Sequence, residues 1–454
     1  MCPERVSKLR KLLGAPDSLI TDLREHQSYL TDATYFSETP ISLLLAESVS
    51  DIVTTVDFCG QHNVPITPRG AGTGLSGGCV ASEGALLLST EKLRDLQIDP
   101  SDRSAVCGPG VITKELQDAA AAYGLAYPPD PASYEESTLG GNVAEGAGGL
   151  SCNRFGVTKD YILGLEAVLA DGSLLKCGRF CRNRGFSIGD ILIASEGTLA
   201  IITRIAVRLI PLPGQDTTIL VAFDQPHNAA QTVADINAAG IIPTVMEFMD
   251  GDAVECSNQY EQTEGLDNAA AILLFETSDV ETELQTAQIG RLCQDNNCSY
   301  LRIESDPARA EALWQIRRNL SLATKDAAAY RISEDVAVPN SHFPALVDLV
   351  AQMNAQSSLR INSYGHAGDG NLHVNFMAGS DSPENMAEID RWVEKLMRRT
   401  VELDGTLTGE HGIGLAKRAY LDLEFDSSTL GAMMKIKSVF DPHGLLNPDK
   451  ILPH

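Results

Sequence analysis

Two short stretches concentrate the chemistry of this chain. One is Ser363-Tyr-Gly-His366-Ala-Gly-Asp369-Gly-Asn371-Leu-His373-Val-Asn375; the other is Gly409-Glu410-His411-Gly412. Imidazole nitrogens and carboxylate oxygens are the donor set of a divalent metal that keeps an open position. The interleaved glycines let the backbone turn sharply and approach a ligand closely. Gly365, Gly368 and Gly370, around the first two histidines, predict a loop and a strand start, with the turn bringing the imidazoles together.

A second set of residues points to a large, flat, phosphorylated ligand. Arg69-Gly-Ala-Gly-Thr-Gly-Leu-Ser-Gly-Gly78 holds five glycines in the nine residues 70–78. Gly72, Gly74 and Gly77 satisfy G-x-G-x-x-G, but a dinucleotide fingerprint requires a helix directly after the loop. Here Cys79-Val-Ala-Ser-Glu-Gly-Ala-Leu-Leu-Leu reads as turn and strand. The loop is therefore expected to bind phosphate as a nest of backbone N–H groups. Arg69 either adds a charge to it or pairs with a nearby acid. Gly108-Pro-Gly110 and Ser137-Thr-Leu-Gly-Gly-Asn-Val-Ala-Glu-Gly-Ala-Gly-Gly149 supply more backbone of the same kind.

The elements that must position these residues follow from periodicity. Val49, Ile52, Val53, Val56 and Cys59 recur at helical spacing, and a strand over 64–67 leads into the glycine loop. Ala85–Ser89 reads as a buried strand, and a helix spans 112–123. Tyr127-Pro-Pro-Asp-Pro-Ala-Ser133 is a rigid extended turn. Gly164–Ala170, Asp171-Gly172 and Ser173–Lys176 read as a hairpin. A strand over 198–209 ends at Pro211-Leu-Pro213, where a domain boundary is placed. Beyond it, strands near 219–223, 244–248, 270–275 and 300–303 alternate with helices over 227–239 and 280–296, the rhythm of an α+β domain with helices covering one sheet. A further helix spans 382–403, and the chain after Leu407 is mostly helical.

Composition narrows the function. The 454 residues suggest more than one domain. The hydrophobic fraction of 43% and charged fraction of 21% are those of a soluble globular protein. A formal charge of −26 argues against nucleic acid and anionic membranes as partners. No stretch approaches the roughly 20 apolar residues of a membrane span. The N-terminus reads as an amphipathic helix, not a signal peptide. The ten cysteines contain no Cys-x-x-Cys pair, which argues against an iron–sulfur cluster. They read as buried thiols of a reducing, cytoplasmic compartment, with Cys177 and Cys181 near enough in sequence to pair.

Jointly, Pro68–Gly78, Pro129-Asp-Pro-Ala-Ser133, Thr138-Leu-Gly-Gly-Asn142, Gly156-Val-Thr-Lys-Asp160 and Ser195-Glu-Gly-Thr-Leu199 resemble the flavoprotein superfamily of vanillyl-alcohol oxidase and p-cresol methylhydroxylase. Within it, His366–His373, Gly409–Gly412 and Asn447-Pro-Asp-Lys450 resemble the FAD-linked D-2-hydroxyacid branch, which includes D-lactate dehydrogenases, the glycolate oxidase flavoprotein subunit and D-2-hydroxyglutarate dehydrogenase. The resemblance runs from about Tyr35 to Leu452. It implies an α+β chain with three parts. Residues 1–213 form a two-subdomain FAD-binding domain of the p-cresol methylhydroxylase type. Residues 214–410 form an antiparallel-sheet substrate and metal domain. Residues 411–454 form a helical segment returning to the FAD domain.

The resemblance also implies FAD contacts from Pro68, Arg69, Gly70, Ala71, Gly72, Thr73, Gly74, Ser76, Gly77, Pro129, Ser133, Gly140, Gly141, Asn142, Val143, Gly197, Ile202 and Asn447. Some members tether flavin to a histidine in the glycine loop; Thr73 stands there here and cannot form that bond, so non-covalent FAD is expected. The implied metal ligands are His366, His373 and Glu410, for zinc by default, with manganese, iron or cobalt also suited. Asp369 either replaces one ligand or caps the turn. A 2-hydroxyacid can chelate such a metal through its hydroxyl and a carboxylate oxygen, and the metal lowers the hydroxyl pKa. His411, next to Glu410 but pointing elsewhere, is the candidate general base. The hydride from C2 passes to flavin N5. Asn375 is expected at the substrate or the flavin edge.

Arg317, in Leu313-Trp-Gln-Ile-Arg-Arg-Asn319, is where the family places a clamp for the substrate carboxylate. Arg318 is the competing choice, and a solvated helix face the bland alternative. Relatives acting on hydroxyglutarate carry a lysine near where Ser333 stands, which tilts the reading toward a small monocarboxylate, D-lactate before glycolate, unless Arg331 substitutes. Without a cluster motif, electrons leave to an external acceptor: electron-transferring flavoprotein, or an iron–sulfur subunit with quinone behind it. Oligomeric state is left open. Two rivals remain at this stage. A zinc hydrolase leaves the glycine loops unexplained; a non-catalytic FAD-binding subunit leaves the histidines unexplained.

Overall fold

A computed structural model of the chain describes residues 3–181, 187–214, 216–260, 266, 269–278 and 282–452. The expected start of a helix at Val280 lies outside these, as does Cys2. The chain divides into two compact units. One comprises Met1–Gly148, Val157–Leu212 and Glu410–His454; the other comprises Gly149–Gly156 and Pro213–Gly409. Residues 149–156 group with the second unit, and residues 410–454 group with the first.

In the first unit, a four-stranded sheet has the order β1 (Leu19–Ile20), β2 (Ser42–Leu45), β4 (Leu86–Ser89), β3 (Ile66–Arg69). β2, β4 and β3 run parallel. All four residues of β4 are buried, as its unbroken apolar run implies. The helix Val49–His62 covers this sheet. It starts because the Ser48 hydroxyl accepts from Asp51 N–H at 3.2 Å, and stops because Asn63 turns left-handed. Ile52, Val56 and Cys59 pack with Leu44, Leu86 and Leu88. Leu445 and Leu446, from the end of the chain, join the same cluster, and Asn447 N–H donates to Ile66 O at 2.7 Å.

The second sheet of this unit is antiparallel, in the order β5 (Leu96–Asp99), β6 (Ser104–Cys107), β10 (Ile201–Arg208), β8 (Ile162–Val168), β9 (Leu174–Lys176). β8 and β9 form the expected hairpin. Leu169 N–H donates to Ser173 O at 3.0 Å, and Gly172 has φ 78°. A short pair, β7 (Leu125–Ala126) with β11 (Ile210–Pro211), completes the strands described in this unit. Cys177 and Cys181 are free thiols, so their pairing is not formed.

The second unit is built on one antiparallel sheet of seven strands. Its order is β15 (Cys298–Glu304), β12 (Asp216–Phe223), β14 (Ala271–Ser278), β13 (Val245–Asp250), β17 (Arg360–His366), β18 (Asn371–Ala378), β16 (Tyr330–Ala337). The helix Pro307–Asp326 packs Leu313, Trp314, Ile316 and Leu320 against Leu220, Met249, Ile272 and Leu274. Each fully buried side chain of this kind contributes about 1.5–3 kcal/mol. The Asp306 cap and Pro307 at the first helical position set where the helix begins. The Trp314 indole N–H donates to Thr218 Oγ1 at 3.1 Å, so the ring is placed by a bond as well as by packing.

Candidate active site

In the first unit, the glycine loop follows β3 and leads through turns, without a helix, to β4. Among the described residues, the N–H groups of Ala71 to Leu75 find no protein acceptor. A row of such donors suits a pyrophosphate, so the chain's own backbone fits FAD here. A Cβ at Gly70 would lie 2.3 Å from Thr138 Oγ1, and one at Gly72 would lie 1.8 Å from the Arg69 guanidinium. Thr138 caps the helix Leu139–Glu145, which carries Gly140, Gly141, Asn142 and Val143. Asn142 Nδ2 donates to Thr113 Oγ1 at 2.7 Å. Pro129 and Ser133 lie on the segment beside the helix Thr113–Ala121, with Pro129 O accepting from Gln117 at 3.2 Å.

Further motif pieces converge on this loop from distant sequence. Asn447 Nδ2 donates to Gly78 O at 2.8 Å and to Glu196 O at 2.7 Å. Gly197 turns at φ 68° against Pro68. Ser76 O accepts from Leu415 N–H at 2.8 Å. Ile202 is buried in β10. The Arg69 guanidinium donates to Thr31 O at 2.7 Å and Ser28 O at 2.9 Å, so its side chain braces the 28–31 turn.

His411 opens a turn stitched to the same unit. The next residues, Ile413 and Gly414, donate N–H bonds of 2.7 and 2.8 Å to Glu196, a buried side chain whose pKa burial pushes up to about 7. The expected motif Ser195–Leu199 thus holds the segment after the candidate base.

In the second unit, the two histidines stand on adjacent strands. His366 ends β17, and His373 lies on β18 after the turn Ala367–Gly370. Gly370 closes that turn at φ 71°, and a Cβ there would sit 1.9 Å from Val338 O. The two rings meet edge to face with centroids 5.3 Å apart. Across the ladder His366 pairs with Glu247 of β13, while His373 lies between Tyr364 and Asp335.

Glu247 is the residue that sequence reasoning missed. It is 0% exposed, and each of its oxygens meets a different partner. Oε1 lies 2.6 Å from His366 Nδ1, and Oε2 accepts from Arg317 Nε. Burial raises the pKa of this carboxyl, but the Arg317 charge and the hydrogen bonds to His366 and Arg317 outweigh burial and hold it below its ordinary value. A carboxylate only accepts, so His366 carries its proton on Nδ1 and directs the Nε2 lone pair away from Glu247. Such an orientation suits a metal ligand. One signal existed in the sequence: an acid between Met246 and Phe248, within a strand buried on both faces, must have partners.

Arg317 and Arg318 are separated by the helix. Arg317 is 6% exposed, joined to Glu247, and stacked 5.0 Å above the Tyr364 ring, which excludes a solvated face. Arg318 pairs with Glu311 on the exposed side. Asn375 is buried on β18, two residues from His373 and on the same face of the sheet. Its Nδ2 donates to Asn362 Oδ1 at 3.0 Å, and its Oδ1 has no protein partner among the described residues. The Arg331 guanidinium donates to Ser321 O at 3.0 Å and Thr324 Oγ1 at 2.7 Å on the neighbouring helix.

Glu410 follows a segment pinned to the sheet. Gly409 N–H donates to Asp335 Oδ2 at 2.7 Å, and Thr408 Oγ1 to Asp335 Oδ1 at 3.2 Å. This anchor, one residue away, sets where Glu410 begins. His366, His373 and Glu410 each offer one ligand atom, and these atoms lie within 4.8 Å of one another. Asp369 stands exposed on the turn, outside this group.

The fold is that of p-cresol methylhydroxylase. The solved structure of p-cresol methylhydroxylase with substrate bound superposes with a TM-score of 0.80 at 14% identity, covering 99% of this chain and 96% of that one. The sequence matches the FAD binding domain family over residues 40–178 and the C-terminal domain of FAD linked oxidases over 212–451. It is 35% identical over 431 residues to the glycolate oxidase subunit GlcD of Bacillus subtilis, covering 93% of this chain and 91% of that protein. It is 31% identical to a D-lactate dehydrogenase of Archaeoglobus fulgidus, covering 93% and 96%. The chain belongs to this family and is an FAD-linked oxidoreductase. Among the described residues, no helix is long and apolar enough to cross a membrane.

Proposed function

We propose that the chain is an FAD- and metal-dependent dehydrogenase that oxidises a small D-2-hydroxyacid to the 2-oxoacid, D-lactate to pyruvate before glycolate or D-2-hydroxyglutarate. The observation that carries this reading is the trio His366, His373 and Glu410, grouped within 4.8 Å, in a chain whose glycine loop fits FAD. A divalent cation held by the trio, zinc or one of manganese, iron and cobalt, supplies Lewis acidity toward a chelating hydroxyacid. FAD, held without a covalent bond, supplies the two-electron acceptor for the hydride of the carbinol carbon.

The chain's own side chains do the rest. Arg317 binds the substrate carboxylate, and its bond to Glu247 fixes the guanidinium before substrate arrives. The Asn375 amide offers its unused oxygen to the substrate hydroxyl or the flavin edge. His411 takes the hydroxyl proton at an imidazole nitrogen. Ser333, opposite Asn375 in the ladder, brings no charge for a second carboxylate, and Arg331 is committed to the neighbouring helix. Both favour a monocarboxylate. Electrons then pass to an external acceptor, an electron-transferring flavoprotein or an iron–sulfur subunit linked to quinone.

Anaerobic mixing of the yellow protein with D- and L-2-hydroxyacids tests this reading. D-lactate should bleach the flavin, and chelator should abolish the bleaching until metal is restored. Full bleaching in metal-free enzyme removes the metal's role. Absence of bleaching by any 2-hydroxyacid, with metal present, makes the chain a non-catalytic flavin subunit.

A further inference from the structure

Five buried or partly buried side chains of the second unit form a closed circuit. Arg317 lies 5.0 Å over the Tyr364 ring, and Tyr364 meets His373 at 5.6 Å. His373 meets His366 at 5.3 Å, His366 bonds to Glu247 at 2.6 Å, and Glu247 bonds back to Arg317. Three elements supply the members: the helix Pro307–Asp326, β13, and the β17–β18 hairpin. Glu247 is the only acid in the circuit, and each of its oxygens meets a different partner.

We propose that Glu247 is a positioning residue that locks the metal-directed imidazole of His366 and the carboxylate-binding guanidinium of Arg317 into one rigid piece, so that the spacing between hydroxyl and carboxylate in the substrate is measured by the protein. The inference rests on the metal-dependent reading above and adds a residue to it. The physical ground is that a single carboxylate cannot move toward one partner without leaving the other. Glu247 is 0% exposed in a strand whose residues 245–249 are all buried, and both of its oxygens are bonded. Rigidity of this sort selects acids whose hydroxyl sits on the carbon next to the carboxylate. An acid with one more methylene between the two groups must break the chelate or lose Arg317.

The test uses full-length, FAD-loaded protein stripped of metal and titrated with zinc. Wild type should bind one zinc per chain. Arg317→Met keeps Glu247 on His366, so its zinc affinity should stay within about threefold, while its KM for D-lactate rises. Glu247→Gln with Arg317→Met removes both charges together and leaves no unpaired buried ion to unfold the domain. That double variant should retain FAD and bind zinc roughly 10- to 100-fold more weakly, the usual effect of deleting a carboxylate behind a ligating histidine. Zinc affinity in the double variant equal to that of Arg317→Met overturns the proposal. Wild type that binds neither zinc nor manganese overturns the metal-dependent reading first, and this inference with it.

Discussion

Gly409→Ala adds one methyl group to an exposed residue, and ordinarily such a change is neutral or raises stability by about 0.4–1 kcal/mol. The structure predicts the opposite. The new Cβ would lie 1.6 Å from Asn371 Nδ2, 2.6 Å from its Cγ and 3.2 Å from its Cβ. Asn371 is buried in β18, so its whole side chain must shift, or the 408–410 segment must lift from Asp335. Overpacking of this kind costs about 1–3 kcal/mol. In a unit of this size that amounts to a fall in Tm of roughly 2–12 °C. If the strain is relieved by lifting the segment, Glu410 moves with it and zinc affinity falls about tenfold for each 1.4 kcal/mol. Differential scanning calorimetry and zinc titration of the FAD-loaded protein read both effects. Gly379→Ala, which meets nothing within 4 Å, is the control and should match wild type. Gly409→Ala with wild-type Tm and wild-type zinc affinity would refute the reasoning about how Glu410 is held.

Other expectations follow from the same geometry. His411→Ala should lower turnover about 10²- to 10⁴-fold while the protein stays yellow, measured by steady-state kinetics and flavin absorbance; unchanged turnover places the base elsewhere. Acid precipitation should release free FAD into the supernatant, since Thr73 offers no covalent tether; flavin remaining in the pellet would contradict this. Asp250, whose carboxyl is pushed by burial up to about 7 from an unfolded value of 3.8, binds its proton more tightly when folded. Stability from this group is therefore complete below pH 3.8 and is lost as pH rises toward 7, at about 1.4 kcal/mol per pH unit at most. Denaturant melts from pH 4 to 7.5 should show the gap between wild type and Asp250→Asn narrowing with rising pH; a widening gap reverses the sign of the argument.

Much of the site was legible because its chemistry is written in local sequence. Five glycines after a strand specify a backbone-lined loop whatever the rest of the fold does, and Asp171-Gly172 specifies a hairpin turn. His366 and His373 flank a glycine turn that brings them together within seven residues. What stayed hidden is partnership across long sequence separation. Glu247 reaches His366 over 119 residues, and Asp335 reaches Gly409 over 74. Nothing local distinguishes such acids from surface acids except the apolar strand around them. The partners of Arg69 and Arg331 were hidden for a related reason. A guanidinium between alternatives goes where carbonyls and hydroxyls converge, and that is decided by the 28–31 turn and by the helix Pro307–Asp326, not by neighbours in sequence. The choice between Arg317 and Arg318 likewise needed the helix's buried face.

The most direct test of the central claim is anomalous diffraction at the zinc edge from crystals of the zinc-loaded flavoprotein. One strong peak is expected, with His366 Nε2, His373 and a Glu410 oxygen at about 2.0–2.2 Å. A protein that carries zinc elsewhere, with these three side chains free of it, would contradict the account.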